Sequence, residues 1–150
     1  MVAGPVVAFL EGEGTDARGR TVFDVLAMND VALEHTHDFI QWLFPLPEPS
    51  AAVPDSPVLT PEDVQAIRGS ELAPIALAGA IDRMVNFYRF THEWLMPNDH
   101  NHRRITRIIR SLRLLVGDAE ADAFRAVILE RVEATRAPIS ARSRGYWATA

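Results

Sequence analysis

No cysteine occurs in the 150 residues, so the chain cannot form a disulfide, a thiolate metal site or a cysteine nucleophile. Lysine is absent too: all fifteen basic residues are arginine, a bias owed as much to codon usage as to chemistry. No apolar run approaches the ~20 residues that a membrane span needs. Met1 to Leu10 carry no Lys or Arg, and their five-residue apolar run is too short for a secretory signal. A cytoplasmic protein with no membrane span is the expectation. No stretch alternates with period two long enough to make a strand, and neither G-x-S-x-G nor a phosphate-binding glycine loop occurs.

What remains is 48% hydrophobic, enough apolar material for one core, so residues 1–150 are expected to form a single domain. The net charge of −5 conceals a split. Residues 1–99 hold five Arg against fifteen acids, whereas residues 100–150 hold ten Arg against five acids. Bulk acidity argues against general nucleic-acid binding, while an Arg-rich patch can still grip a carboxylate or phosphate.

The periodicity predicts an all-α fold of six or seven helices. After an apolar start at Val6 to Leu10, the polar, glycine-rich stretch 11–20 reads as a loop. Thr21 with Asp24 caps a short helix. Leu33, Ile40, Leu43 and Phe44 keep helical spacing, predicting a second helix over 31–44 that Pro45 stops. Six of the ten prolines lie between Pro45 and Pro61. Residues 45–60 are therefore a long proline-rich strap, anchored by Leu46, Val53, Val58 and Leu59. Thr60-Pro61-Glu62-Asp63 opens a helix ending near Gly69, and another runs from about Ser70 through Tyr88. Thr91 to Asn101 forms a loop with a buried Trp94-Leu95-Met96 centre. Ile105, Ile108, Ile109, Leu112 and Val116 give the strongest helical signal, followed by helices over about 119–135 and after Ser140.

Two segments, LEHTHDFIQWLFPL at 33–46 and HNHRRITRIIRSL at 100–112, resemble the signature stretches of the opioid growth factor receptor (OGFr) conserved-domain family. LTPEDV at 59–64 and NFYRF at 86–90 fit the same order, and the resemblance covers roughly residues 20–135. The chain looks like a small, bacterial-type member. The family's animal members are described as receptors for an enkephalin-type opioid peptide, associated with the nucleus and its membrane. The resemblance thus implies a receptor-like binding module, with a small anion or a peptide as its partner and membrane association only by analogy.

On the residues themselves, His37 lies between Leu33 and Ile40 on the stripe of the 31–44 helix and is expected to face inward, with Gln41 one turn on. A core histidine bonded to Gln41 or to a carbonyl is the plainer reading, as core packing is for Trp42 and Phe44. His100 and Asn101 sit at a helix start, where unpaired N–H groups favour an anion. Arg103, Arg107 and Arg110 share a side of the following helix, with Arg104 beside Arg107. They form either a solvated, internally paired face or an anion clamp in which Arg104 and Arg107 present forked donors. The binding reading joins His37, Gln41 and Trp42 with His100, Asn101, Arg104 and Arg107 in a groove between the two motif helices, without enzyme activity or cofactor. The alternative is a metal- or acid/base-dependent enzyme using His37, Asp38 and His100, although no two histidines stand three or four apart in a local chelating pattern.

Overall fold

The computed structural model describes residues 4–150, which hold nine α-helices and no strand. The all-α expectation holds, and five of the helices have nine or more residues. The first three residues of the Met1 to Leu10 stretch lie outside the described residues. Two compact units are present, residues 1–81 and 82–150, and one helix runs through the boundary.

The first unit is assembled from short helices that begin with caps. Val6 to Leu10 is helical, as part of α1 (Pro5–Leu10), with Pro5 in the first turn and Val6, Val7, Phe9 and Leu10 buried. In α2 (Val22–Leu26), Thr21 and Asp24 make the reciprocal capping box that their spacing predicts. Asn29 caps α3 (Asp30–His35) by accepting from the Ala32 N–H.

The single helix expected over 31–44 is not formed. Thr36 leaves α3 with extended backbone (φ −101°, ψ 121°), and helix resumes only in α4 (Ile40–Leu43). Thr36, His37 and Asp38 are weak helix formers, and two arginines hold Asp38 out of the helical path. His37 consequently falls in the break and is exposed, where an inward-facing position was expected.

The strap is ordered by a few backbone bonds. The Leu59 N–H donates to the Leu46 carbonyl at 3.0 Å, and the Val53 carbonyl accepts from both the N–H and the hydroxyl of Ser56. Leu46 and Leu59 are buried anchors as predicted, whereas Val58 is exposed and Val53 only half-buried. Thr60 and Asp63 then form a second capping box on α5 (Pro61–Gly69). Helix α1 packs against α4 and α5.

Helix α6 (Ala73–Phe90) crosses from the first unit into the second. The second unit adds α7 (His100–Leu115), α8 (Asp118–Thr135) and α9 (Ala141–Thr149), with α7 packed on both α8 and α9. Ile105, Ile108, Ile109 and Leu112 are all fully buried, as their spacing requires. Gly117, at φ +145°, makes the turn into α8, a backbone state that only glycine adopts easily. On α8, Phe124, Ile128 and Val132 are core and Val127 is half-buried. In the 91–99 loop Trp94 is fully buried, but Met96 is exposed, contrary to expectation.

Candidate functional site

In the first unit, the polar loop 11–20 is wound around one carboxylate. Asp16 Oδ1 accepts from the N–H groups of Arg18 (2.9 Å) and Arg20 (3.0 Å), and Oδ2 accepts from Arg20 Nε at 2.6 Å. Gly19 closes the turn at φ +78°. The loop presents arginines: Arg18 Nε and Arg20 Nη2 donate to the two oxygens of Asp38, each at 2.9 Å. Burial pushes the Asp38 carboxyl upward, but the hydrogen bonds and charges of Arg20 and Arg18 outweigh it and hold the group below its ordinary value. The same balance raises Arg20, where burial acts downward and Asp38 and Asp16 prevail. Both Asp38 oxygens are thus engaged by guanidiniums, an arrangement that serves an ion-paired turn better than a metal ligand.

Beside this turn, Gln41 is buried and donates from Nε2 to the His37 carbonyl at 3.2 Å. Its Oε1 has no protein partner among the described residues. Trp42 is core, its ring edge-on to Phe9 at 5.5 Å between centroids.

In the second unit, Asp99 caps α7, taking both the backbone N–H and Nδ2 of Asn101 on Oδ2 at 2.9 Å. The helix start expected to attract an anion therefore already holds a carboxylate of the chain's own. Asn101 is fully buried, and its Oδ1 accepts from the Tyr88 hydroxyl at 3.2 Å. His100 is exposed.

Arg103 and Arg110 point to solvent, Arg107 is half-buried, and Arg104 is buried at 6% exposure rather than presented outward as an anion clamp would require. The cause is a second buried row on α7: Arg104, Ile108, Ser111 and Leu115 follow one another at i+4, i+3 and i+4, and all four are buried.

The buried histidine is His102, which sequence reasoning passed over. Its Nε2 lies 2.8 Å from the Trp94 carbonyl and its Nδ1 2.8 Å from Ser143 Oγ. The carbonyl can only accept, so Nε2 carries a proton, and in the neutral ring Nδ1 accepts from the serine hydroxyl. The His102 carbonyl in turn accepts from Trp147 Nε1 at 3.1 Å, and the two rings meet edge-to-face at 5.2 Å. A signal was available, since His102 stands three residues before Ile105 and seven before Ile109, on the buried stripe.

Residues 21–93 match the family model of the opioid growth factor receptor (OGFr) conserved region. That span runs from the α2 cap to just past α6, and the 100–112 stretch lies beyond it. The chain is 36% identical over 98 residues to the rat opioid growth factor receptor, covering 53% of this chain and 17% of that protein. The human receptor is 32% identical over 117 residues, 65% of this chain and 16% of its own length. Rat opioid growth factor receptor-like protein 1 is 34% identical over 116 residues, 65% of this chain and 24% of that protein. The chain thus carries an OGFr-like region and spans less than a quarter of each of these relatives. No solved structure matches it. Among the described residues, no helix is long and apolar enough to cross a membrane.

Proposed function

We propose that the chain is a small, bacterial-type member of the OGFr family, working in the cytoplasm as a non-enzymatic module that binds a small anion or a peptide. Residues 1–150 act in this reading as one domain. The observation that carries it is the match of residues 21–93 to the OGFr conserved region, whose relatives are named as receptors.

The proposed binding residues fall into two sets. In the first unit, exposed His37 would contact ligand while buried Gln41 and Trp42 support it. In the second, exposed His100 and half-buried Arg107 would meet a carboxylate, with Asn101 and Arg104 as buried supports.

The test is calorimetric titration of the full chain with an enkephalin-type pentapeptide, its C-terminally amidated form and a scrambled control. Saturable binding that amidation weakens, and that Arg107→Ala and His37→Ala each reduce, is the expected result. Equal heats for pentapeptide and scramble, or indifference to amidation, would overturn the carboxylate-recognising reading.

A further inference from the structure

The break between α3 and α4 interrupts a pattern that runs straight through it. Leu33, Ile40, Leu43 and Phe44 keep one helical stripe across it, and all four are buried. The two ends also have the form of a helix cut open. At the end of α3 the Thr36 N–H still donates to the Ala32 carbonyl, as in a helix, and only its ψ of 121° departs. At the start of α4 Phe39 is already in the right-handed helical region (φ −105°, ψ −31°), and no side chain among the described residues caps the first turn. By contrast α2, α3 and α5 each begin on a side-chain cap.

What holds the break open is charge from outside the segment. Asp38 Oδ2 accepts from Arg18 Nε and Oδ1 from Arg20 Nη2, each at 2.9 Å, while Asp16 steadies Arg20 at 2.6 Å. A second, longer Arg20 Nη2 bond of 3.4 Å reaches the Asp38 carbonyl, so the backbone of the break is gripped too. Gln41 stands in for the missing turn. In a helix the His37 carbonyl accepts from the Gln41 N–H, and here it accepts from the Gln41 side chain at 3.2 Å. That exchange leaves Gln41 Oε1 buried with no protein partner among the described residues, a costly position for a polar atom. The ion pairs opposing this cost are partly open to water, with the Arg18 side chain 74% exposed, and such pairs are individually weak.

The two sides of the break are unequally anchored. Ile40, Gln41, Trp42 and Leu43 are all buried and α4 packs against α1, whereas of the six residues of α3 Leu33 alone is buried. Helix α3 is therefore the part that can swing. We propose that residues 36–38 are a hinge latched open by Arg18 and Arg20, and that release of Asp38 lets it close into one helix over residues 30–43. Closure turns His37 from solvent onto the stripe between Leu33 and Ile40. It also replaces helices of six and four residues, too short to be stable alone, with a single longer one. For the binding reading above, on which this consequence rests, the latch decides whether His37 is within reach of a ligand. Arg18 and Arg20 are then positioning residues for that histidine.

The test compares the full chain, without ligand, with two variants. Asp38→Ala removes the latched carboxylate, and Arg18→Gln weakens the latch while leaving residues 31–44 untouched, which separates the latch from helix propensity. Two readouts follow the hinge: hydrogen–deuterium exchange over residues 36–41, and the rate at which diethyl pyrocarbonate acylates His37. Exposed His92 and the α7 amides serve as internal references. For Asp38→Ala, exchange and His37 acylation are each expected to slow about tenfold, with His92 and α7 unchanged, and Arg18→Gln should slow both by less. Exchange over 36–41 that is unchanged or faster, or His37 acylation as fast as in the parent, would overturn the inference. If Asp38→Ala also loses protection in α7, Arg18→Gln decides by the same criteria. Neither readout involves a peptide or an anion, so failure here and failure of the pentapeptide reading are distinguishable.

Discussion

The two units solve the same problem, burying a helical core, with opposite materials. Residues 1–81 use four helices of four to six residues and one of nine before α6. Helices this short have no stability of their own in water. They are held by side-chain devices: the boxes at Thr21 and Thr60, the Asn29 cap, and the Asp16–Arg20–Asp38 knot. Residues 82–150 use three helices of sixteen, eighteen and nine residues and the second half of α6, held chiefly by a continuous apolar stripe. Charge divides along the same line, since the first unit has a net of −9 and the second, with twelve arginines against eight acids, a net of +4. Order in the first unit is written in individual polar contacts, and in the second in periodicity.

That contrast can be broken by substitution. The largest effect is expected at Trp94, which is fully buried, donates to the Tyr88 carbonyl and stacks edge-on to Tyr88 at 5.2 Å. Trp94→Ala should cost about 3–5 kcal/mol by chemical denaturation, and a loss under 1 kcal/mol would show that the second unit does not depend on this ring. Next come the two histidines. His102→Ala strands the Trp94 carbonyl and the Ser143 hydroxyl at buried positions, a loss of about 2–4 kcal/mol, whereas His37→Ala, at an exposed turn, should change stability by no more than about 0.5 kcal/mol. Equal effects would erase the distinction drawn between core and surface histidine.

Smaller effects are expected from the devices of the first unit. Thr60→Ala removes a cap at an exposed helix start and should cost about 1 kcal/mol, read most directly by faster amide exchange in α5. Asp38→Asn should cost about 1 kcal/mol or less near neutral pH, because its ion pairs are partly open to water. The folded carboxyl lies below its ordinary value. Its contribution is therefore complete above the unfolded value of about 4 and declines as pH falls through the lower, folded one. Parent and variant stabilities should converge in acid; a gap that persists unchanged at pH 2 would assign the effect to packing.

Legibility in the sequence followed the same division. The α7 stripe, the Thr60 start and the Ser140 cap were readable because each rests on local spacing or on one residue's chemistry. The break at 36–39 was not, because the groups that stabilise it, Arg18 and Arg20, come from twenty residues away. His37 looked buried by periodicity in a helix that long-range ion pairing interrupts, and His102 escaped notice although it shared the phase of the isoleucines. Arg104 shows a further limit: residue type argued for solvent, while its place in a second buried row decided otherwise.

The tie between Phe9 and Trp42 and the tie between Tyr88 and Trp94 bear on how this protein can be handled in pieces. The span that matches the family model, 21–93, begins after α1 and ends one residue short of Trp94. A fragment cut to those limits would bare the indole of Trp42 at one end and the ring of Tyr88 at the other. What the family model marks out as a segment is narrower than what must be expressed together to fold, so a fragment of residues 21–93 should aggregate, and one that retains α1 and α7–α9 should not.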